Sequence, residues 1–324
     1  MNGTAKLLLA AALSAGVCAR DTRAAEYGTG PWIKGTTDYL GGVLPSSPGL
    51  YIRNDVHHYA GNADLNIFSG RIHIDVDQAY LMDFPALMYV TPVKILGGTY
   101  TVSVIPTLMQ LDVESDISIP ALSVPVGPFD PTAGPFNLRS SGNEFAQGDT
   151  AFSPLILGWQ RGDLYWNVGV FALAPTGEYS LGSVANTSLH HWSVMPRLAA
   201  TYLDPKTGLE ITGAAIYSVS WQNAATEYET GNILNLEGAV TKSFGQFGFG
   251  AVGYAMIQTT PDSGRGAVLG TFESRVYGAG PILTYSLRPE SPTPLTFIAK
   301  WYHEFGAENT FEGNIVDVAA TFRF

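Results

Sequence analysis

The chain has 324 residues, a formal net charge of −11, 46% hydrophobic residues and only 14% charged ones. The acidic balance argues against a nucleic-acid partner, which asks for a basic face. Beyond the first residues no apolar run approaches the roughly eighteen residues of a membrane helix, so the apolar content must be spread rather than collected. A closed barrel with lipid-facing and lumen-facing side chains in alternation does this.

In chain order, the start reads as an export signal. Lys6 supplies a positive charge, Leu7 to Val17 is one short apolar run, and small residues follow. Val17-Cys18-Ala19 suits a signal peptidase, which puts the signal at 1–19, with cleavage after Ala24 as the alternative. Cys18 is the only cysteine, so the mature fold has no disulfide and no thiolate metal site to lean on. Residues 20–48 form a separate N-terminal segment, whose stretch Glu26 to Pro48 is rich in Gly, Pro and Ser.

From 49 to 324 the pattern is that of strands. Leu209, Ile211, Gly213, Ala215, Tyr217, Val219 and Trp221 share one face, and Glu210, Thr212, Ala214, Ile216, Ser218 and Ser220 the other. Val316, Val318, Ala320 and Phe322 alternate in the same way with Asp317, Ala319, Thr321 and Arg323, and the chain ends on Phe324. This template gives an all-β chain of about twelve strands. They lie near 49–60, 79–96, 99–112, 151–161, 163–175, 189–203, 208–222, 229–243, 246–260, 271–287, 294–305 and 312–324.

The links support a transmembrane antiparallel β-barrel. Gly97-Gly98, Arg161-Gly162-Asp163, Asp204 to Gly208, Phe244-Gly245-Gln246 and Pro289 to Thr293 alternate with longer ones at 61–78, 113–150, 176–188, 223–228, 261–270 and 306–311. Bacterial barrels alternate tight periplasmic turns and long outer loops in this way. The 113–150 stretch, with Pro120, Pro125, Pro128, Pro131 and Pro135, reads as a loop that folds inward or covers the mouth. Trp159, Trp166, Trp192, Trp221 and Trp301 fall toward strand ends, as an interfacial girdle requires. The competing reading of the same aromatics is the core of a soluble β-sandwich.

Gly42-Val43-Leu44-Pro45, then Pro48-Gly49-Leu50-Tyr51-Ile52-Arg53-Asn54, and Tyr89-Val90-Thr91-Pro92-Val93-Lys94-Ile95-Leu96-Gly97 resemble segments of one family. It is the outer-membrane family of the meta-pathway of phenol degradation, itself distantly similar to long-chain fatty acid transporters. The likeness is strongest over about 40–110, and Val93 stands where the family suggests a bulky aromatic before Lys94. The resemblance implies passive uptake of small hydrophobic or aromatic compounds across the outer membrane of a Gram-negative bacterium, with the segment before Leu50 as a lumen plug. Phe324 resembles the signal read by the barrel-assembly machinery of such membranes. Outer-membrane lipid, that machinery and a small hydrophobic substrate are then the partners, and no cofactor is implied.

A twelve-stranded barrel has room for a ligand passage. Alternation turns Arg53, Asp55, Arg197, Glu210, Glu237, Lys300 and Asp317 toward the lumen as candidate channel-lining residues. The bland reading of these charges is pairing with one another across the interior. His191-Trp192-Ser193 resembles the His and Ser of outer-membrane phospholipases, but its Ser faces inward rather than toward lipid. His57-His58 and His73 with Asp75 and Asp77 are too loosely spaced for a metal site. Gly245-Gln246-Phe247-Gly248-Phe249-Gly250 opens a strand rather than a helix and reads as a turn, not a phosphate loop. A non-enzymatic passage is therefore expected. A structural or adhesive barrel is the alternative, with a lipid hydrolase behind it.

Overall fold

The computed structural model describes residues 29–67, 72–119, 122–123, 132–133, 135–267, 273–287 and 295–323. The expected export signal and Pro289 to Thr293 link, and Phe324, lie outside the described residues. The strands run β1 (Gly49–Ile67), β2 (Ile72–Ile95), β3 (Gly98–Ile105), β4 (Leu108–Ile119), β5 (Leu122–Ser123), β6 (Thr132–Ala133), β7 (Phe136–Gln147) and β8 (Thr150–Arg161). They continue as β9 (Leu164–Ala174), β10 (Ser193–Asp204), β11 (Leu209–Ser220), β12 (Ile233–Phe244), β13 (Phe247–Gln258), β14 (Arg275–Leu287), β15 (Leu295–Glu308) and β16 (Glu312–Arg323).

All described pairings are antiparallel between neighbours, and β1 pairs with both β16 and β2, so the sheet closes on itself. Of the 14 strands in that sheet, β4 and β7 stand off the ring and the other twelve complete it. The soluble-sandwich alternative is thereby removed, because a sandwich needs two facing sheets. Closure also disposes of the free edges that lipid could not hydrogen-bond.

Side chains follow the pleat. On β15, Ile298, Lys300, Tyr302 and Glu304 are buried inside, while Phe297, Ala299, Trp301, His303 and Phe305 face out. Around the wall the outward set includes Leu198, Val240, Leu283, Val316 and Val318, each between 45% and 53% exposed. Such a belt is stable only against hydrocarbon. At the short-turn end Trp159 and Trp166 stack at 6.3 Å and Phe244 and Phe249 at 5.3 Å, forming the aromatic rim that headgroups favour.

The turns explain the register. Leu96 and Gly97 both have positive φ (52° and 75°), the two-residue geometry that matches strand twist in a tight hairpin. In the Asp204 to Gly208 turn the Asp204 carboxylate accepts from Lys206 N at 2.8 Å and from the Thr207 hydroxyl at 2.7 Å. These hydrogen bonds, the Thr207 hydroxyl first, hold its pKa below the ordinary carboxylate range. The support they give the turn is thus present at neutral pH and is lost as pH falls through that lowered value.

Two expected links are corrected. Residues 61–67 and 72–78 continue β1 and β2, and the 113–150 stretch, expected as an irregular loop, contains the end of β4 and all of β7. Ile74, Val76, Met109, Leu111 and Val113 keep the inner face apolar. The outer face carries Asp112, Glu114 and Asp116 opposite Asn143, Ser141 and Arg139. It is polar because it stands above the lipid, which is why it reads as loop. At about 3.3 Å per residue the 24 residues of β2 span roughly 80 Å, far more than the apolar band of roughly 25 Å. The upper parts of β1, β2, β4 and β7 therefore project as a four-stranded flap beyond the membrane.

Candidate functional site in the occupied lumen

The N-terminal segment from Thr29 to Pro48 forms no strand and lies within the ring. A backbone without a ladder must find other partners for its N–H groups. Here they are carboxylates and hydroxyls on the inner faces of β10, β11 and β12. Glu237 accepts the Trp32 indole N–H and Gly35 N through one oxygen, both at 3.0 Å, and Thr37 N through the other at 2.6 Å. Glu210 accepts Leu40 N at 3.1 Å and the Thr241 hydroxyl at 2.9 Å, with the Thr212 hydroxyl also on it. Gly42 N donates to the Thr201 hydroxyl at 3.0 Å, and Asn167 Nδ2 donates to Gly41 O at 2.8 Å. Gly42 lies so close to the Ala200 and Thr201 backbone that a Cβ has no room.

The cationic half of the docking comes from β15 and from the segment itself. Lys300 Nζ donates to Gly35 O and lies 3.4 Å from Asp38 and 3.1 Å from Asp317. Tyr302 donates its hydroxyl to Asp38. Lys34 pairs with Glu304, which also accepts the hydroxyls of Tyr59 at 2.9 Å and Tyr254 at 2.7 Å. The ammonium of Lys34 sits 5.2 Å and 5.7 Å from those two rings.

Arg53, Asp55, Arg197, Glu210, Glu237, Lys300 and Asp317 all project inward. Their expected mutual pairing across the interior is corrected in part. Arg53 and Asp55 pair at 2.6 Å along one strand, and Lys300 and Asp317 pair between adjacent strands, so neither pair spans the lumen. Glu210 and Glu237 instead bind backbone amides of the segment, because an irregular peptide in a barrel offers more unsatisfied donors than the wall offers cations. Sequence reasoning missed Lys34, Asp38, Tyr302 and Glu304. The last two were findable, since they share the face of Lys300 by period 2.

Between the segment and the wall lies a cavity of about 380 Å³. It follows the inner face of β2 past Gln78, Tyr80, Met82, Phe84, Ala86 and Met88, and its opposite side includes Trp32, Leu44, Phe171 and Met195. Arg53, Asp55 and Arg197 reach it, whereas Glu210, Glu237, Lys300 and Asp317 do not line it. The arrangement can hold an apolar molecule among aromatic rings and thioethers, with polar atoms few and mostly engaged.

A family model described as "Putative MetA-pathway of phenol degradation" matches residues 63–318. The chain belongs to that family. The crystal structure of an outer membrane channel from Pseudomonas putida F1 superposes on this phenol-degradation-family barrel with a TM-score of 0.59 at 11% identity, over 90% of this chain and 100% of that one. A Pseudomonas aeruginosa FadL homologue gives a TM-score of 0.45 at 10% identity, over 94% and 98%. A search of curated proteins finds no match. At such identities the first of these speaks for the fold, which is that of an outer-membrane barrel.

The remaining motifs of this family member take structural places. Ser193 is fully buried on the inner face, with its hydroxyl 3.0 Å from that of Ser220 and 3.2 Å from His191 Nδ1. Its hydroxyl thus points away from lipid. His57 faces inward onto Asp317 at 3.2 Å, while His58 faces out. His73 meets Asp64 at 3.3 Å on the flap. Among the described residues no three potential metal ligands converge.

Proposed function

We propose that this barrel is an outer-membrane channel for passive uptake of small hydrophobic compounds, aromatic ones included, in a Gram-negative bacterium. The single observation that carries the reading is the aromatic- and Met-walled cavity between segment and wall, in a barrel whose family name refers to phenol degradation. In this reading the protein reaches the membrane through a signal peptide cleaved after Ala19, and Phe324 addresses it to the barrel-assembly machinery. Arg53, Asp55 and Arg197 line the passage. Glu210, Glu237, Lys300 and Asp317 position the N-terminal segment that narrows it. The chemistry is that of a non-enzymatic passage.

A deletion strain is expected to take up a limiting aromatic solute, such as labelled toluene, several-fold more slowly than the parent, with the native gene on a plasmid restoring the rate. An unchanged rate would instead support a structural or adhesive barrel, the reading to which the projecting flap lends itself.

A further inference from the structure

The charged groups that line the cavity are unequal in their partners. Lys34 is matched by Glu304 and Arg53 by Asp55. Asp149 is held by Gly177 N at 3.1 Å, the Ser188 hydroxyl at 2.6 Å and Leu189 N at 2.8 Å. Arg197 differs. Its Nη2 donates to Asn167 Oδ1 at 2.9 Å, its Nε is buried with no hydrogen-bond partner, and no carboxylate among the described residues forms an ion pair with it. Glu237, two strands away, is occupied by the amides of Gly35 and Thr37.

The setting makes that isolation costly. Half-buried Arg197 lines the cavity together with the buried residues Ile156, Phe171 and Met195, with its Cζ 4.8 Å from the centroid of the Phe171 ring. Directly opposite it on β9 is Gly169, which contributes no side chain to crowd the guanidinium. A cation held in apolar surroundings without an anion is disfavoured unless an anion arrives. Arginine is also the side chain best shaped to receive a planar carboxylate.

We infer that the cavity selects amphipathic monoanions, molecules with an apolar body and one carboxylate, and that Arg197 receives the carboxylate while the Met and aromatic wall covers the body. The inference rests on the proposed passage and narrows its substrate class. Asn167 is then a positioning residue, because it accepts from Arg197 and donates to Gly41 of the N-terminal segment, joining the anion subsite to the element that narrows the lumen.

The test is calorimetric binding of 4-butylbenzoate and of 4-butylbenzyl alcohol to the full mature barrel in a non-ionic detergent. The two probes share one apolar body and differ in the anionic group. Wild type is expected to favour the benzoate roughly ten- to a hundred-fold, the range of one charge-assisted hydrogen bond. Arg197→Met should erase the preference by weakening the benzoate at least ten-fold relative to the alcohol, and Arg197→Lys should keep part of it. Heat-modifiability on a gel confirms that each variant is folded. Equal binding of both probes by wild type, or an undiminished preference in Arg197→Met, overturns the anion subsite and leaves the hydrophobic passage standing. Binding of neither probe overturns both.

Discussion

Glu237→Ala should release the N-terminal segment from the lumen without unfolding the barrel. The substitution leaves three donors, the Trp32 indole and the amides of Gly35 and Thr37, without their acceptor in a buried place. At about 1–3 kcal/mol for each orphaned group, the docked state loses on the order of 3–9 kcal/mol. Part of the segment stays tied by Glu210 to Leu40 and by Glu304 to Lys34, so it becomes intermittently free rather than lost. A cysteine placed at Thr36 should then react with an added maleimide at least ten-fold faster than in the parent with the same cysteine, and single-channel current should rise in bursts. The ring itself is held by strand pairing that Glu237 does not support alone, so heat-modifiability should persist. An unchanged labelling rate would mean that these three hydrogen bonds do not hold the segment.

Ala299→Arg is expected to abolish or severely slow barrel assembly, whereas Lys300→Ala leaves an assembled barrel. Ala299 pairs with Leu283 on one side and Val318 on the other, both lipid-facing, and a guanidinium there costs about 2–4 kcal/mol near the bilayer midplane. Lys300, one residue on, is fully enclosed in the lumen against Asp38, Asp317 and Gly35 O. Its removal leaves carboxylates short of a cation, at about 3–5 kcal/mol for a broken buried pair, but Asp38 and Gly35 belong to the N-terminal segment. The loss therefore falls largely on docking rather than on the wall. Folding into detergent followed by the unheated gel shift reads both variants, and equal tolerance of the two would displace the register of β15 by one residue.

The wall was legible because lipid enforces it. Where oil lies outside and water or polar groups lie inside, a period of two is written into Leu209 to Trp221 and into Val316 to Phe322, and the side of every candidate charge follows from it. That enforcement ends at the headgroups. In the flap both surroundings are wet or partly wet, so Asp112, Glu114 and Asp116 against Ser141, Arg139 and Asn143 look like a solvated loop although they form a regular ladder, with Arg139 reaching Glu114 at 2.8 Å. The docking of the N-terminal segment was hidden for another reason. Glu237 and Thr37 are 200 positions apart, and Lys300 and Gly35 are 265 apart. No local spacing encodes such partners, and a Gly- and Pro-rich stretch shows only that its amides need acceptors, not whose.

The same long separations set an order of events. The ribosome makes the N-terminal segment early, yet the acceptors and cations that receive it sit on β11, β12 and β15, and β1, which follows it directly, joins β16. Until the last hairpin has formed, the segment's amides can find acceptors on β10 to β12, but Asp38, Gly35 O and Lys34 lack their partners on β15, and β1 has only one neighbour. What is translated near the beginning is thus fully secured only at the end, so a chain truncated before β15 forfeits its seam together with the Lys300, Tyr302 and Glu304 anchors of its plug.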